Sequence, residues 1–198
     1  SWVNGLLEFV SFASVTHSII SGCRVAIAKK PCLIELAWFS NMKTPENPTY
    51  INSGNLVTTR LLFNSIKGFD ENLTTGEDVD FCARARLIGA KIEPNKKFFA
   101  HHEGYPKTIK QFIKREQWHG IGDVQSWKKF CNSKVALFSW GMMLLLCAAL
   151  LLSFSEYRLF SLFVFFGFVA INGWVVSRRF NANSMSDYSF IFGLHVVY

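Results

Sequence analysis

The sequence predicts an α/β domain followed by transmembrane α-helices, and three observations carry that prediction. Strand-like and helix-like stretches alternate through the first half of the chain. Most of the charge lies in residues 1–134, whereas residues 135–176 carry only Glu156 and Arg158. Two uncharged stretches within that depleted region are long enough to cross a bilayer.

Ser1 to His17 has apolar residues at Val3, Leu6, Leu7, Val10 and Ala13, a spacing that predicts an amphipathic helix. Ile19-Ile20 and Val25-Ala26-Ile27 flank Ser21-Gly22-Cys23 and read as strands around a bend. Asn41 to Pro48, with its prolines and asparagines, reads as a loop, and Tyr50 to Thr58 as a returning strand. Leu61 to Ile66 is a short helix stopped by Lys67-Gly68, and Gly68-Phe69-Asp70-Glu71 is a turn with an aromatic anchor. A helix is expected from about Glu77 to Ile88, capped by Thr74 or Thr75. Its acids Glu77, Asp78 and Asp80 suit the positive end, Arg84 and Arg86 suit the later turns, and Gly89 supplies the stop. Ala90 to Glu93 is a strand ending at Pro94.

Val135 to Phe154 is one expected span and Leu159 to Val176 a second. At ~1.5 Å per residue each reaches across, or nearly across, a ~30 Å hydrocarbon core. Ser155-Glu156-Tyr157-Arg158 allows only a tight hairpin between them. Lys128, Lys129 and Lys134 precede the first span, and Arg178 and Arg179 follow the second. The positive-inside rule therefore places both outer flanks, and the soluble part with them, in the cytoplasm. Ser189 to Tyr198 reads as a third span cut off by the chain end. The expected division is 1–122 for the α/β part, 123–134 for a basic juxtamembrane linker and 135–198 for the transmembrane region. The location expected is a cell (inner or plasma) membrane, multi-pass.

The net charge of +7 raises the question of nucleic acid. The cations gather instead from Lys107 to Lys134, ahead of the first span, where they face anionic lipid headgroups; membrane lipids are an expected partner and nucleic acid is not. The five cysteines are scattered without a CxxC pair, which argues against a disulfide framework or a zinc site. The chain starts at Ser1, its first Met is Met42 and no signal peptide is visible, so it is read as part of a longer protein.

Three carboxylates at one helix start usually do no more than complement the helix dipole. Here a Gly-Phe-Asp-Glu turn precedes them and the pair His101-His102 follows the next strand. Together Asn52-Ser-Gly-Asn-Leu-Val-Thr-Thr-Arg60, Gly68-Phe-Asp-Glu71, Gly76-Glu-Asp-Val-Asp-Phe-Cys-Ala-Arg84, Gly89 and the strand ending in His101 resemble the C-terminal half of a family-2 glycosyltransferase, over roughly residues 20–122. The resemblance implies an incomplete GT-A (Rossmann-like) domain, a nucleotide-sugar donor and inversion at the anomeric carbon.

It further implies that Asp78 is the general base, in a position whose helix N-terminus lowers its pKa. Glu77, Asp80, Gly54 and Asn55 become acceptor-binding or supporting residues, and Arg115 and Trp118 lie where relatives meet the donor diphosphate. A divalent metal, Mg2+ or Mn2+, is the implied cofactor, with His101, or secondarily His102, as ligand. Processive relatives carry Gln-x-x-Arg-Trp; here Gln111-x-x-x-Arg115-x-x-Trp118 breaks that spacing, so processive synthesis is not implied. No Asp-x-Asp pair precedes the Glu-Asp motif, so these 198 residues alone are expected to be inactive. The function implied is a membrane-anchored, hexosyltransferase-like enzyme acting on a lipid-linked or glycan acceptor, in glycolipid, cell-wall or exopolysaccharide synthesis. The alternative is a non-catalytic membrane scaffold or degenerate relative that binds lipids or partners.

Overall fold

A computed structural model describes residues 1–16, 19–23 and 25–197 of the chain. They form two compact units, Ser1–Glu35 with Thr44–Tyr105, and Leu36–Lys43 with Pro106–Tyr198.

The first unit is a mixed α/β structure of α1 (Trp2–Thr16), β1 (Ile19–Gly22), β2 (Leu56–Thr58), α2 (Arg60–Ser65), α3 (Glu77–Leu87) and β3 (Lys91–Pro94). The sheet order is β2-β1-β3. β1 runs antiparallel to β2, with Ile20 opposite Thr58, and parallel to β3, with Ile20 opposite Ile92. Successive side chains of a strand point to opposite faces, so the neighbours Ile19 and Ile20 seed two different cores. Ile19 packs with Phe9, Ala13 and Phe98 beneath α1. Ile20 packs with Ile51, Leu62, Phe81, Cys82 and Ala85 beneath α2 and α3. Full burial of a side chain such as Phe81 contributes about 1.5–3 kcal/mol. These clusters hold the N-terminal end of α3 against the turn before β2.

Several local expectations change. The N-cap of the helix of residues 77–87 is Gly76 in the left-handed conformation (φ 76°), which has no side chain to cap with, rather than Thr74 or Thr75. A left-handed N-cap strains any residue with a Cβ, which explains a glycine there. The strand expected over Tyr50 to Thr58 shrinks to Leu56–Thr58, because Asn52 folds the preceding residues into a 3-10 turn, Ser53–Asn55. Its carbonyl accepts from Asn55 N–H at 3.0 Å and its side chain from Gly54 N–H at 3.0 Å. Val25-Ala26-Ile27 is no strand; Ala26 alone bridges to His101. Beyond Pro94 the chain turns on Asn95, whose side chain accepts from Lys97 N–H, and pairing with the Ala26 segment resumes at Ala100 and His102. The expected helix end at His17 and the expected end of the third span at Tyr198 lie outside the described residues.

The second unit contains a π-helical turn, Glu35–Ser40, from Leu36 onward, together with α4 (Ile109–Val124), α5 (Trp127–Asn132), α6 (Lys134–Ser153), α7 (Arg158–Arg179) and α8 (Met185–Val197). The residues expected as a linker, 123–134, hold the end of α4 and α5. Ser126 and Ser133 cap α5 and α6 by accepting from Lys129 and Ala136 N–H groups. Trp38 is buried edge-on against Phe112 at 5.0 Å and beside Phe180 at 4.7 Å. The Lys43 N–H donates to Arg179 O and the Asn181 N–H to Asn41 O, at 2.9 and 2.8 Å. These bonds pin the Leu36–Lys43 segment to the end of α7.

α6 and α7 are both long and apolar enough to cross a membrane, and only 17% and 22% of their most apolar windows is buried within the protein. A core helix of a soluble fold would be covered on most of its surface. The two pack as a hairpin, with Ser161 Oγ donating to Ala149 O at 2.9 Å near the turn. α8 starts before the apolar stretch at 189–198, and its 13 residues reach ~20 Å at ~1.5 Å each. It joins α7 through Tyr188 Oη–H to Gly173 O at 2.6 Å and His195 Nδ1 with Asn172 Oδ1 at 3.0 Å.

Candidate active site

The site is built where the 3-10 turn meets the start of α3. Gly76 O accepts from Asp80 N–H at 3.0 Å, closing the first turn, so Glu77 and Asp78 occupy its first two positions. Asp78 is buried. Its Oδ1 accepts from Val79 N–H at 2.8 Å and its Oδ2 from Ser53 N–H at 3.2 Å. The Ser53 hydroxyl donates to Glu77 Oε1 at 3.0 Å. Adjacent helix positions diverge, yet one serine reaches both carboxylates, with its amide and with its hydroxyl.

The electrostatics of Asp78 correct the sequence expectation of a lowered pKa. Burial pushes its carboxyl up, and the negative Glu77 beside it pushes the same way. The amide bonds from Ser53 and Val79 pull down without winning. Desolvation of the charge outweighs the helix N-terminus because the carboxylate sits under the Ser53 turn rather than in water.

Asp80 faces another way. Its Oδ2 is 2.7 Å from Arg84 Nε in an i,i+4 ion pair. The same guanidinium donates to the carbonyls of Ile66 and Gly68. Asp80 thereby ties α3 to the end of α2 and the Gly68 turn, and fixes the helix whose first turn carries Asp78. Gly54 lies in the 3-10 turn, its N–H held by Asn52. Asn55 is buried; its amide donates to Cys23 O at 3.1 Å and to Phe98 O, and its oxygen accepts from Trp2 Nε1 at 3.4 Å. It clips the turn to the end of β1 and to the segment after β3. Ser53 and Arg84 were not singled out as partners by sequence reasoning. Arg84 had a signal in its i,i+4 spacing from Asp80; Ser53 had none beyond membership of the Asn52–Arg60 motif.

The histidine pair is exposed, and its two rings differ. His101 Nδ1 lies 2.7 Å from Ile27 O, so this nitrogen carries the proton and Nε2 presents a lone pair. His102 Nδ1 accepts from Gly104 N–H at 2.8 Å, so in the neutral ring Nε2 carries the proton. An N–H donated to a carbonyl is the usual support of a metal-ligating imidazole. His101 has that arrangement and His102 does not. Neither is hydrogen-bonded or ion-paired to Glu77, Asp78 or Asp80, and among the described residues no three His, Cys, Asp or Glu side chains gather to hold an ion. The residues present supply one suitable ligand, not a complete metal site.

Arg115 and Trp118 belong to the second unit, three residues apart on one face of α4. Arg115 pairs with Glu116, and its guanidinium lies 4.9 Å from the Phe39 ring. Trp118 is exposed, edge-on to His119 at 4.9 Å.

The family model described as glycosyl transferase family group 2 matches residues 11–177. No curated protein and no solved structure matches the chain. The matched stretch contains the Ser53 turn, the carboxylates of α3, all of α6, and α7 as far as Ser177, and on that extent the chain belongs to glycosyl transferase family group 2.

Proposed function

We propose that the protein is an inverting glycosyltransferase, anchored in the cell membrane by α6 and α7, with Asp78 as its general base at the cytoplasmic face. The observation that carries this reading is the buried Asp78 carboxylate, raised in pKa and held from both sides by amide N–H groups. Family membership gives the coarser part: transfer of a sugar between a nucleotide-sugar donor and an acceptor. The finer part assigns a lipid-linked or glycan acceptor, as in glycolipid, cell-wall or exopolysaccharide synthesis.

The acceptor hydroxyl attacks the anomeric carbon from the face opposite the diphosphate. As the new C–O bond forms, the hydroxyl proton passes to Asp78. The bond to the diphosphate breaks and its electron pair leaves with the nucleoside diphosphate. Asp78 then releases its proton to solvent. A raised pKa makes this carboxylate a stronger base than an exposed one, and positioned proton transfer is worth about 10²–10⁴-fold. Glu77, held by Ser53, keeps negative charge beside the base and faces the acceptor. Asp80, Gly54 and Asn55 support the turn. Arg115 and Trp118 are assigned to the donor diphosphate, whose charge grows as it leaves. A Mg2+ or Mn2+ ion would take His101 as a ligand and neutralise that charge.

The test is transfer by the detergent-purified protein in its full-length form, with the product anomer read by NMR. Asp78→Asn should abolish transfer while donor binding persists. Undiminished transfer removes Asp78 as base, and a product of retained configuration removes the inverting mechanism.

A further inference from the structure

We propose that the open end of the α6–α7 hairpin is a binding surface for the anionic headgroups of a phospholipid bilayer. The proposal rests on the anchoring role given above to these helices. α6 begins at Lys134 and α7 ends at Arg179, so both meet the surface at the end away from the Phe154–Tyr157 connection. A chain of ring contacts crosses that end: Phe138 of α6 to His195 at 6.3 Å, His195 to Trp38 at 6.3 Å, and Trp38 to the Arg179 guanidinium at 5.6 Å.

Six cations collect there: Lys43, Lys128, Lys129, Lys134, Arg178 and Arg179. All but Arg179 are exposed. Lys43 is placed by its ammonium, which donates to Ser177 O at 2.8 Å in the last turn of α7. Along Leu36–Lys43, α5, α6, α7 and the connection between the last two, the sole acid is Glu156, at the opposite end beside Arg158. One end of the hairpin is therefore strongly positive and the other is balanced.

The aromatic residues at the positive end fit the same ligand. Trp174 is exposed with the Arg178 guanidinium 5.9 Å from its ring. Trp127 is exposed and stacked on Phe130 at 5.4 Å, and Phe130 meets Trp140 edge-on at 6.2 Å. Tryptophan favours the headgroup level, where its ring and its N–H are both satisfied. Cations alone would set the orientation of the helices. Cations layered over exposed indoles form a surface that meets phosphate and acyl chain together, and each cation adds to the attraction.

The full chain is reconstituted into vesicles of brominated phosphatidylcholine, which quench tryptophan fluorescence, and unbrominated lipid is added to displace it. Phosphatidylglycerol should displace the quencher at least about fivefold better than phosphatidylcholine, the weight of one cation near an anionic surface, and the preference should shrink with salt. The triple variant Lys128→Gln, Lys129→Gln, Arg178→Gln should lose it, and the charge-preserving Lys128→Arg, Lys129→Arg, Arg178→Lys should keep it. Equal displacement by both lipids, or a preference untouched in the triple Gln variant, overturns the proposal. So does its selective loss to inorganic phosphate against chloride at equal ionic strength, which would make the ligand a soluble phosphate. Alkaline extraction separates the two readings: a chain that stays in the membrane without lipid preference sinks only this proposal, and a chain that leaves it sinks the anchor as well.

Discussion

The backbone N–H of Ser53 donates to Asp78 Oδ2 at 3.2 Å, while the hydroxyl of the same serine holds Glu77. One residue of the turn before β2 thus holds the proposed base in place and pulls its pKa down against the stronger effect of burial. The two contacts use different atoms, so substitution can separate them.

Ser53→Ala removes the hydroxyl and leaves the amide. Glu77 is then released while Asp78 keeps its partner, and transfer should fall by a factor of a few through weaker acceptor binding, read as KM. Ser53→Pro removes the amide instead. Proline is tolerated in the first turn of a helix, and Asn52 already has the extended backbone (φ −64°, ψ 136°) that a following proline requires. A buried carboxylate left without this donor loses about 1–3 kcal/mol of stabilisation. The expected result is a drop in kcat with an acid limb moved to higher pH. Equal kinetics for the two variants would show that the Ser53 amide does not tune the base.

The wild-type pH profile has its own sign. Asp78 must be ionised to accept a proton, and burial raises its pKa. The acid limb of kcat/KM should therefore lie above the pKa of a free aspartate, with activity lost as pH falls through it. Stability runs the other way. A raised carboxyl contributes stability that is fully present below its unfolded pKa and lost as pH rises through the folded one. Asp78→Asn should remove this part of the pH dependence of Tm. An acid limb at or below the pKa of a free aspartate would contradict the burial of the charge.

Asn55 is expected to matter for folding more than for chemistry. Asn55→Ala leaves the carbonyls of Cys23 and Phe98 without its amide, at about 1–3 kcal/mol for each unsatisfied group. The approach of Asn55 to β1 is close enough that a Cβ on Gly22, at φ 142°, would stand 2.0 Å from Asn55 O. Gly22→Ala should destabilise more than Asn55→Ala, because backbone cannot yield as a side chain can. Thermal unfolding of the detergent-purified variants checks the order, and a Gly22→Ala protein as stable as wild type would refute the close approach.

The parts legible in the sequence were those encoded by local periodicity or composition. α3, its stop at Gly89 and the two apolar helices fall within a few residues of expectation, because each depends on its own residues. α4 was missed although Thr108-x-x-Gln111 is a capping signal, and Thr108 Oγ1 does accept from Gln111 N–H. The π-helical turn with buried Trp38 was not legible, since its partners Phe112, Phe180 and Arg179 are remote in sequence. In the site, the identity of Asp78 came from a motif. Its raised pKa did not, because burial under Ser53 is a tertiary contact 25 residues away.

The last prediction separates two adjacent histidines by tautomer. The Ile27 carbonyl holds the proton on His101 Nδ1 and leaves Nε2 as a donor atom for a cation, whereas Gly104 N–H occupies His102 Nδ1. His101→Ala should weaken the Mg2+ or Mn2+ dependence of transfer, raising the metal concentration for half-maximal rate at least about 10-fold, the smallest effect typical of losing even an outer-shell partner of a metal. His102→Ala should leave that concentration unchanged. His101→Gln offers an oxygen but no imidazole, and should fall between them. Metal titration of the three variants against wild type reads the order directly. Identical curves for His101→Ala and wild type would remove His101 as a ligand and leave the ring a structural role, bonding Ile27 O and packing edge-on against Phe99 where Ala26 bridges to the segment after β3.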